Sequence, residues 1–149
     1  DLGLHYLKSV EQETKLWDYI GNVSFEHRLY QVLIAYSSRN SGHRASIEND
    51  LSDGRRLDVL VIQDEKRIGI EIELSPNIDL EKILTNLKEL DKLVILCKDQ
   101  ITVNKVRETI ESVVPEALAD KTQLHVVNEY LANLSDSNVS AHGIKSNQK

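Results

Sequence analysis

Residues 56–74 contain two apolar segments separated by a short charged segment, and this pattern predicts a β-hairpin. The segments span residues 56–62 and 67–74, and both are rich in Ile, Leu and Val. In the second segment, apolar residues alternate with charged ones, as they do in a strand with one buried face. The chain therefore contains an antiparallel pair of strands.

The predicted pairing brings acidic residues together. We place the centre of the turn between residues 65 and 66, so that Asp58 lies opposite Glu73 and Leu60 lies opposite Glu71. Paired residues share a face of the sheet, and Glu71 and Glu73 share one because side chains alternate with a period of two. Three carboxylates are thus expected at one end of one face.

Such a cluster has two interpretations. Like charges repel unless a cation or water neutralises them, and oxygen-only ligands suit Mg²⁺ or Mn²⁺. Alternation of Glu with Ile is also typical of a half-buried strand whose outer face is solvated. Asp58 favours the metal site, because a carboxylate is a poor strand former and this one interrupts an apolar run.

The chain of 149 residues is expected to form a single domain over residues 1–134, followed by a polar, disordered tail over 135–149. Its net charge of −6 argues against a general nucleic-acid coat protein, whose affinity would come from Lys and Arg. An enzyme that holds DNA through local patches and metal ions is compatible with this charge. A locally basic stretch around the hairpin contains Arg39, Arg44, Arg55, Arg56, Lys66 and Arg67.

Composition also indicates the setting of the protein. The chain contains no Met, so we expect it to be a processed or excised piece of a longer protein. It has no apolar run of about 18 residues and a single cysteine, Cys97, within an apolar segment. These features predict a soluble cytoplasmic protein without a membrane partner, with Cys97 buried in a strand. No histidine has metal-site spacing, so zinc is not expected.

Caps and breaking residues divide the remaining chain into further elements. Helices are predicted over residues 4–20, 24–38, 79–90 and 103–113, and strands over 44–49, 92–97 and 123–127, with a last helical turn near Tyr130. The predicted order is ααβββαβαβ. Because a helix separates the second hairpin strand from the strand at 92–97, we expect a parallel crossover in an α/β fold with a mixed sheet.

This series of elements and residues resembles the PD-(D/E)XK nuclease superfamily. A helix carries Glu26 near its start, the first hairpin strand carries Asp58, and the second carries Glu71-Ile72-Glu73. A helix and an apolar strand follow. The likeness covers residues 24–97 and implies a restriction-endonuclease-like core.

The resemblance implies roles for these residues. Asp58 and Glu71 would bind Mg²⁺ or Mn²⁺, and Glu73 would be a third ligand or a base that orients the attacking water. Glu26 would support the ion from its helix, although acidic residues also favour the first helical turn for dipole reasons alone. The implied reaction is hydrolysis of phosphodiester bonds, with the metal ion neutralising the phosphate and acidifying water.

Glu73 stands where the superfamily motif has Lys, which orients or activates the attacking water. Some restriction endonucleases of this fold carry a carboxylate there and are active, whereas inactive relatives also lack the Lys. We expect Lys82, on the helix after the hairpin, to supply the missing cation, with Asn86 one turn later on the same face. The alternative is that Lys82 only faces solvent.

The predicted function is therefore that of a Mg²⁺- or Mn²⁺-dependent nuclease that acts on nucleic acid, in particular DNA, as part of a larger protein or assembly. The alternative is a catalytically inactive nuclease-like fold that binds DNA or protein. The three carboxylates favour the enzyme, and the missing Lys favours the alternative. Since cutting both strands generally takes two active sites, we also expect a homodimer or a partner DNA-handling domain.

Overall fold

Five strands form one mixed sheet that lies between two layers of helices. The structure is a computed structural model and describes residues 24–52 and 54–134. The predicted helix over residues 4–20 and the predicted tail over 135–149 lie outside the described residues. Within the described residues, no helix has the length and apolar character needed to cross a bilayer.

The elements follow one another in the predicted order. They are α1 (Phe25–Asn40), β1 (Arg44–Asp50), β2 (Arg56–Gln63), β3 (Lys66–Glu73), α2 (Leu80–Glu89), β4 (Lys92–Cys97), α3 (Gln100–Val113), α4 (Glu116–Ala119) and β5 (Thr122–Val126). Residues 127–134 are also helical. The short helix α4 was not predicted, and the predicted last turn near Tyr130 is part of a longer helical segment.

Caps fix where the helices begin. The side chain of Ser24 accepts a hydrogen bond from the amide of His27, so α1 starts at the predicted place. Asp79 caps α2 and Asp99 caps α3 in the same way. Because Asp79 fixes where α2 begins, it also helps to fix which residues of α2 face the sheet.

The sheet has the strand order β1-β2-β3-β4-β5. β1, β2 and β3 are antiparallel neighbours, whereas β3, β4 and β5 are parallel. The expected parallel crossover from β3 through α2 to β4 is therefore confirmed. A parallel pair needs such a long connection, and α2 supplies it while covering one face of the sheet.

The register of the hairpin differs from the prediction by two residues. Gln63 pairs with Lys66 and Leu60 pairs with Gly69, so the two-residue turn consists of Asp64 and Glu65. Both turn residues have positive φ, 51° and 66°, as a type I′ turn requires. The predicted pairings of Leu60 with Glu71 and of Asp58 with Glu73 are therefore wrong. A shift of two residues keeps the predicted alternation of faces along the paired residues 59–63 and 66–70, whereas Leu57 packs on the opposite face from Val59 and Val61.

Two apolar cores cover the two faces of the sheet. On one face, α2 and α3 pack on the strands, and the fully buried residues include Leu87, Ile95 and Val106. On the other face, α1 and residues 127–134 pack around Ile34 and neighbouring strand residues. Cys97 is fully buried in β4, as predicted, and burial raises the pKa of its thiol to about 11. Its thiol is therefore protonated at neutral pH and not nucleophilic.

The hairpin turn gives a test of the register. Glu65→Gly should stabilise the protein by about 0.5–1 kcal/mol, because glycine adopts the left-handed conformation without the steric cost that other residues carry. Glu65→Ala keeps that cost and should give no such gain. Urea denaturation of the two variants measures the difference, and equal stabilities would contradict this turn geometry.

Candidate functional site

The strands β2 and β3 separate at the end opposite their turn. Their pairing runs from Gln63↔Lys66 to Val59↔Ile70, while β3 continues to pair with β4 as far as Glu73↔Cys97. The amide of Ile72 points toward β2, and the side chain of Asp58 accepts its hydrogen bond at 2.8 Å. The carboxylate of Asp58 thus replaces a backbone carbonyl as the acceptor of the next hydrogen bond along the sheet.

An open cleft of about 630 Å³ lies at this separation. Its lining includes Ser24, His27, Asp58, Glu71, Glu73 and Lys82. We call it the Asp58 cleft. Residues from α1, β2, β3 and the start of α2 meet in it, so the site depends on the whole core and not on the hairpin alone.

Asp58 is held by donors on both of its carboxylate oxygens. Oδ2 accepts from the Ile72 amide and lies 3.3 Å from Nε2 of His27, and Oδ1 accepts from Nε2 of Gln31 at 3.3 Å. A carboxylate has about four lone-pair positions, and these three donors from the described residues leave one of them for a ligand. Burial favours a higher pKa for Asp58, but the hydrogen bond and charge of His27, together with the hydrogen bond from the Ile72 amide and the effect of Glu71, hold the pKa below its usual value.

Glu71 is almost completely buried, with 2% of its surface exposed, and its charge is balanced from α2. Nζ of Lys82 lies 3.0 Å from its Oε2, and Nδ2 of Asn86 donates to its Oε1 at 3.3 Å. Lys82 and Asn86 are four residues apart and therefore lie on one face of the helix. Burial, followed by the charge of Asp58, raises the pKa of Glu71 well above its usual value.

Lys82 keeps its positive charge in this setting. Burial lowers the pKa of a lysine, but the neighbouring carboxylates of Glu71, Asp58 and Glu73 more than offset this and raise the pKa of Lys82. The alternative that Lys82 only faces solvent is therefore wrong, because its ammonium group forms a salt bridge inside the cleft.

Glu73 lies in the same cleft and is only partly buried. Burial and the charge of Asp58 raise its pKa to about 7, while Lys82 and His27 act in the opposite direction. A carboxyl group with this pKa is half ionised near neutral pH. Glu73 can therefore accept or release a proton there, which an ordinary surface Glu does not do.

The predicted convergence of the three carboxylates is only partial. Asp58 and Glu71 lie close enough for each to shift the pKa of the other, and the charge of Asp58 also raises the pKa of Glu73. However, no three His, Cys, Asp or Glu side chains among residues 24–52 and 54–134 are grouped closely enough to hold a metal ion. The oxygen donors of Asp58 and Glu71 suit Mg²⁺ or Mn²⁺ chemically, and the rest of the coordination would fall to water and substrate.

The structure does not bring Glu26 to the cleft. Its side chain is exposed and accepts a hydrogen bond from the hydroxyl of Tyr30 at 3.3 Å. Two other residues of α1, His27 and Gln31, reach Asp58 instead. Gln31 was not predicted, although its spacing of four residues from His27 placed both on one helix face.

The locally basic stretch is divided between the two ends of the hairpin. Arg55 and Arg56 line the Asp58 cleft, whereas Lys66 and Arg67 follow the turn at the far end of β3. Arg55 donates to Glu81 of α2 at 2.9 Å, a contact that crosses the mouth of the cleft. These two arginines, with Lys82 and His27, are the basic residues that line the cleft in the described part of the chain.

No family model, curated protein or solved structure matches this chain. The structure shows an α/β fold with a five-stranded mixed sheet flanked by helices. The resemblance to PD-(D/E)XK nucleases stays a prediction from the order of elements and the motif residues. Any functional assignment therefore depends on the chemistry of the Asp58 cleft.

The raised pKa of Glu73 predicts a pH-dependent effect of Glu73→Gln. Between about pH 4.5 and 7 the folded protein keeps a proton on Glu73 that the unfolded chain has released, so this group lowers stability as the pH rises. At pH 8 the variant should be more stable than wild type by about 1–3 kcal/mol, and at pH 4 the two should be nearly equal.

Urea denaturation at the two pH values measures this difference. Glu108→Gln, at an exposed position of α3, controls for the loss of one negative charge and should not show the pH-dependent gain. Equal stabilities of Glu73→Gln and wild type at pH 8 would contradict the buried, repelled carboxyl described here.

Proposed function

We propose that this chain is a divalent-metal-dependent nuclease domain that hydrolyses phosphodiester bonds of nucleic acid, with DNA as the expected substrate. The observation that supports it most is the meeting of two buried carboxylates, from Asp58 and Glu71, with the charged amine of Lys82 at the floor of an open cleft. Such a site combines acceptors for a hard cation with a positive charge for a phosphate.

The electrostatics favour a bound cation. Ionising both of two carboxyl groups that share a buried site costs free energy. Burial and the charge of Asp58 accordingly raise the pKa of Glu71. A divalent ion would relieve the repulsion and allow both groups to be ionised. When bound, Mg²⁺ or Mn²⁺ would neutralise phosphate charge and increase the acidity of a nearby water molecule.

Glu73 and Lys82 would carry out the other steps of the reaction, which are proton transfer and stabilisation of charge. The pKa of about 7 suits Glu73 to take the proton of the attacking water at neutral pH. We therefore favour the role of base over that of third ligand for Glu73, in agreement with the absence of a three-ligand group among the described residues. Lys82 would stabilise the negative charge that develops on the phosphate.

Most residues that line the cleft are charged, which suits a charged ligand such as a phosphate backbone better than an apolar one. Arg55 and Arg56 at its edge would contact phosphates next to the cleaved one. Because the chain as a whole is acidic, with a net charge of −6, we propose that a second copy or a partner domain adds to the grip on DNA.

A second candidate function is a catalytically silent module of the same fold. One observation favours it: Glu71 already has a cationic partner within the chain, because Nζ of Lys82 lies 3.0 Å from its Oε2. A buried ion pair of this kind can be a structural feature that serves no reaction. The two functions differ in whether Mn²⁺ binds and whether nucleic acid is cut.

The test is a cleavage assay in Mn²⁺ on mixed single-stranded, duplex and branched DNA and RNA. Wild type is expected to cut at least one substrate class, and Asp58→Ala should abolish cutting and remove the stabilisation that Mn²⁺ gives in thermal melts. If wild type cuts none of these substrates and its melting temperature does not respond to Mn²⁺, the silent-module function is correct.

Lys82→Ala tests the role of the displaced cation. It should reduce cleavage by about two orders of magnitude, the typical effect of removing one electrostatic stabiliser, while Mn²⁺ still binds. Lys88→Ala, which removes an exposed lysine from the same helix, is the matched control and should cut normally. Normal cutting by Lys82→Ala would show that the metal ions alone supply the positive charge.

A further inference from the structure

Gln31 is a polar residue in the interior of the protein, with 0% of its surface exposed. Its Nε2 donates toward three oxygens: Oε1 of Glu48 at 3.0 Å, the backbone carbonyl of Asp58 at 3.2 Å, and Oδ1 of Asp58 at 3.3 Å. Its Oε1 accepts from Nη1 of Arg28 at 2.8 Å. Every polar atom of this side chain is therefore engaged.

These partners permit only one orientation of the Gln31 amide. Arg28 is a donor only, so it must face the amide oxygen, whereas an ionised Glu48 is an acceptor only and must face the nitrogen. Arg28 and Glu48 also form an ion pair with each other, which closes the arrangement. A rotation of the amide by half a turn would break contacts on both sides. The two N–H groups are thus divided, with little freedom, between Glu48 and the carbonyl and carboxylate of Asp58.

Asp58 needs this contact because its other donors act on a single oxygen. The Ile72 amide and the His27 ring both approach Oδ2. The torsion that rotates a carboxylate about its last bond is broad, so contacts at one oxygen do not fix the plane of the group. The hydrogen bond from Gln31 to Oδ1 fixes the second oxygen and with it the direction of the free lone pair.

Gln31 also supports the backbone at this point. The residues on either side of Glu48 pair with those on either side of Asp58, but these two residues do not pair with each other. Glu48 has a φ of 55°, a left-handed conformation that is rare inside a strand. Gln31 donates to the Asp58 carbonyl at this interruption. One side chain thus holds both the backbone and the carboxylate of Asp58.

We infer that Gln31 is a positioning residue, which sets the Asp58 carboxylate in the orientation that receives a divalent cation. This inference rests on the proposed function. Groups that orient a metal ligand typically change the affinity for the ion by about tenfold to a hundredfold when they are removed. They do so without contacting the ion or the substrate.

The experiment compares wild type with Gln31→Met, which keeps the size of the side chain and removes its donors. Thermal melts over a range of Mn²⁺ concentrations give the concentration for half-maximal stabilisation, and cleavage is measured at each concentration. For Gln31→Met, the half-saturating concentration of Mn²⁺ should rise by about tenfold to a hundredfold. Cleavage should recover toward the wild-type rate at saturating Mn²⁺.

Controls separate this role from a general loss of stability. Val106→Ala leaves a cavity in the core around α3, away from the cleft, and should lower the melting temperature without changing the half-saturating Mn²⁺ concentration. Should Gln31→Met fail to fold, Gln31→Asn keeps an amide that is one methylene short of Asp58 and should also raise that concentration.

The outcomes distinguish the inference from the function on which it rests. An unchanged half-saturating concentration in a folded, destabilised Gln31 variant overturns the positioning role and leaves the nuclease function standing. A wild-type protein that shows no response to Mn²⁺ overturns the metal-dependent function, and the positioning role falls with it. A raised concentration with recovery at saturation supports both.

Discussion

The hydrogen bond from the Ile72 amide to the Asp58 carboxylate is the contact on which the site depends. Buried backbone donors must be satisfied, so two strands cannot separate in the core without new partners for their amides. Here an acidic side chain takes that place, which lets β2 and β3 diverge and opens a cleft between them. The same bond also stabilises the charged form of Asp58 in a buried setting. Strand separation is thus linked to the charge at the site, which also depends on His27.

The cleft shifts the pKa values of its carboxylates in different directions. Asp58 accepts hydrogen bonds from α1 and β3, and its pKa is lowered. Glu71 is more buried and lies beside the charge of Asp58, so its pKa is raised. Burial and the charge of Asp58 raise the pKa of Glu73 to about 7. Carboxyl groups whose environments move their pKa values apart are typical of sites that transfer protons. On the solvated outer face of a strand, the carboxyl groups would instead have similar pKa values.

Much of the fold followed from the sequence, because apolar periodicity and caps are local signals. β4 has the predicted limits, and α1 and α2 begin where Ser24 and Asp79 cap them. The hairpin register was not predictable in this way, since Asp64 and Glu65 adopt left-handed conformations for which glycine or asparagine would have been the usual signal. The residue through which α1 contributes to the cleft was also missed. A residue near a helix start can face any direction, and only the packing of α1 on the sheet decided that Gln31, not Glu26, faces Asp58.

The position of Lys82 shows why a short motif is an incomplete description of such a site. A phosphate responds to the place of a positive charge in space and not to the strand that carries it. Asp79 caps α2 and so sets the rotation of the helix, which directs Lys82 and Asn86 at Glu71. With the cation supplied from α2, the strand position of Glu73 is free to carry a carboxyl group whose pKa suits proton transfer. The departure from the nuclease motif at Glu73 is therefore compatible with a working site, because the charge that the motif places on the strand is present on the neighbouring helix.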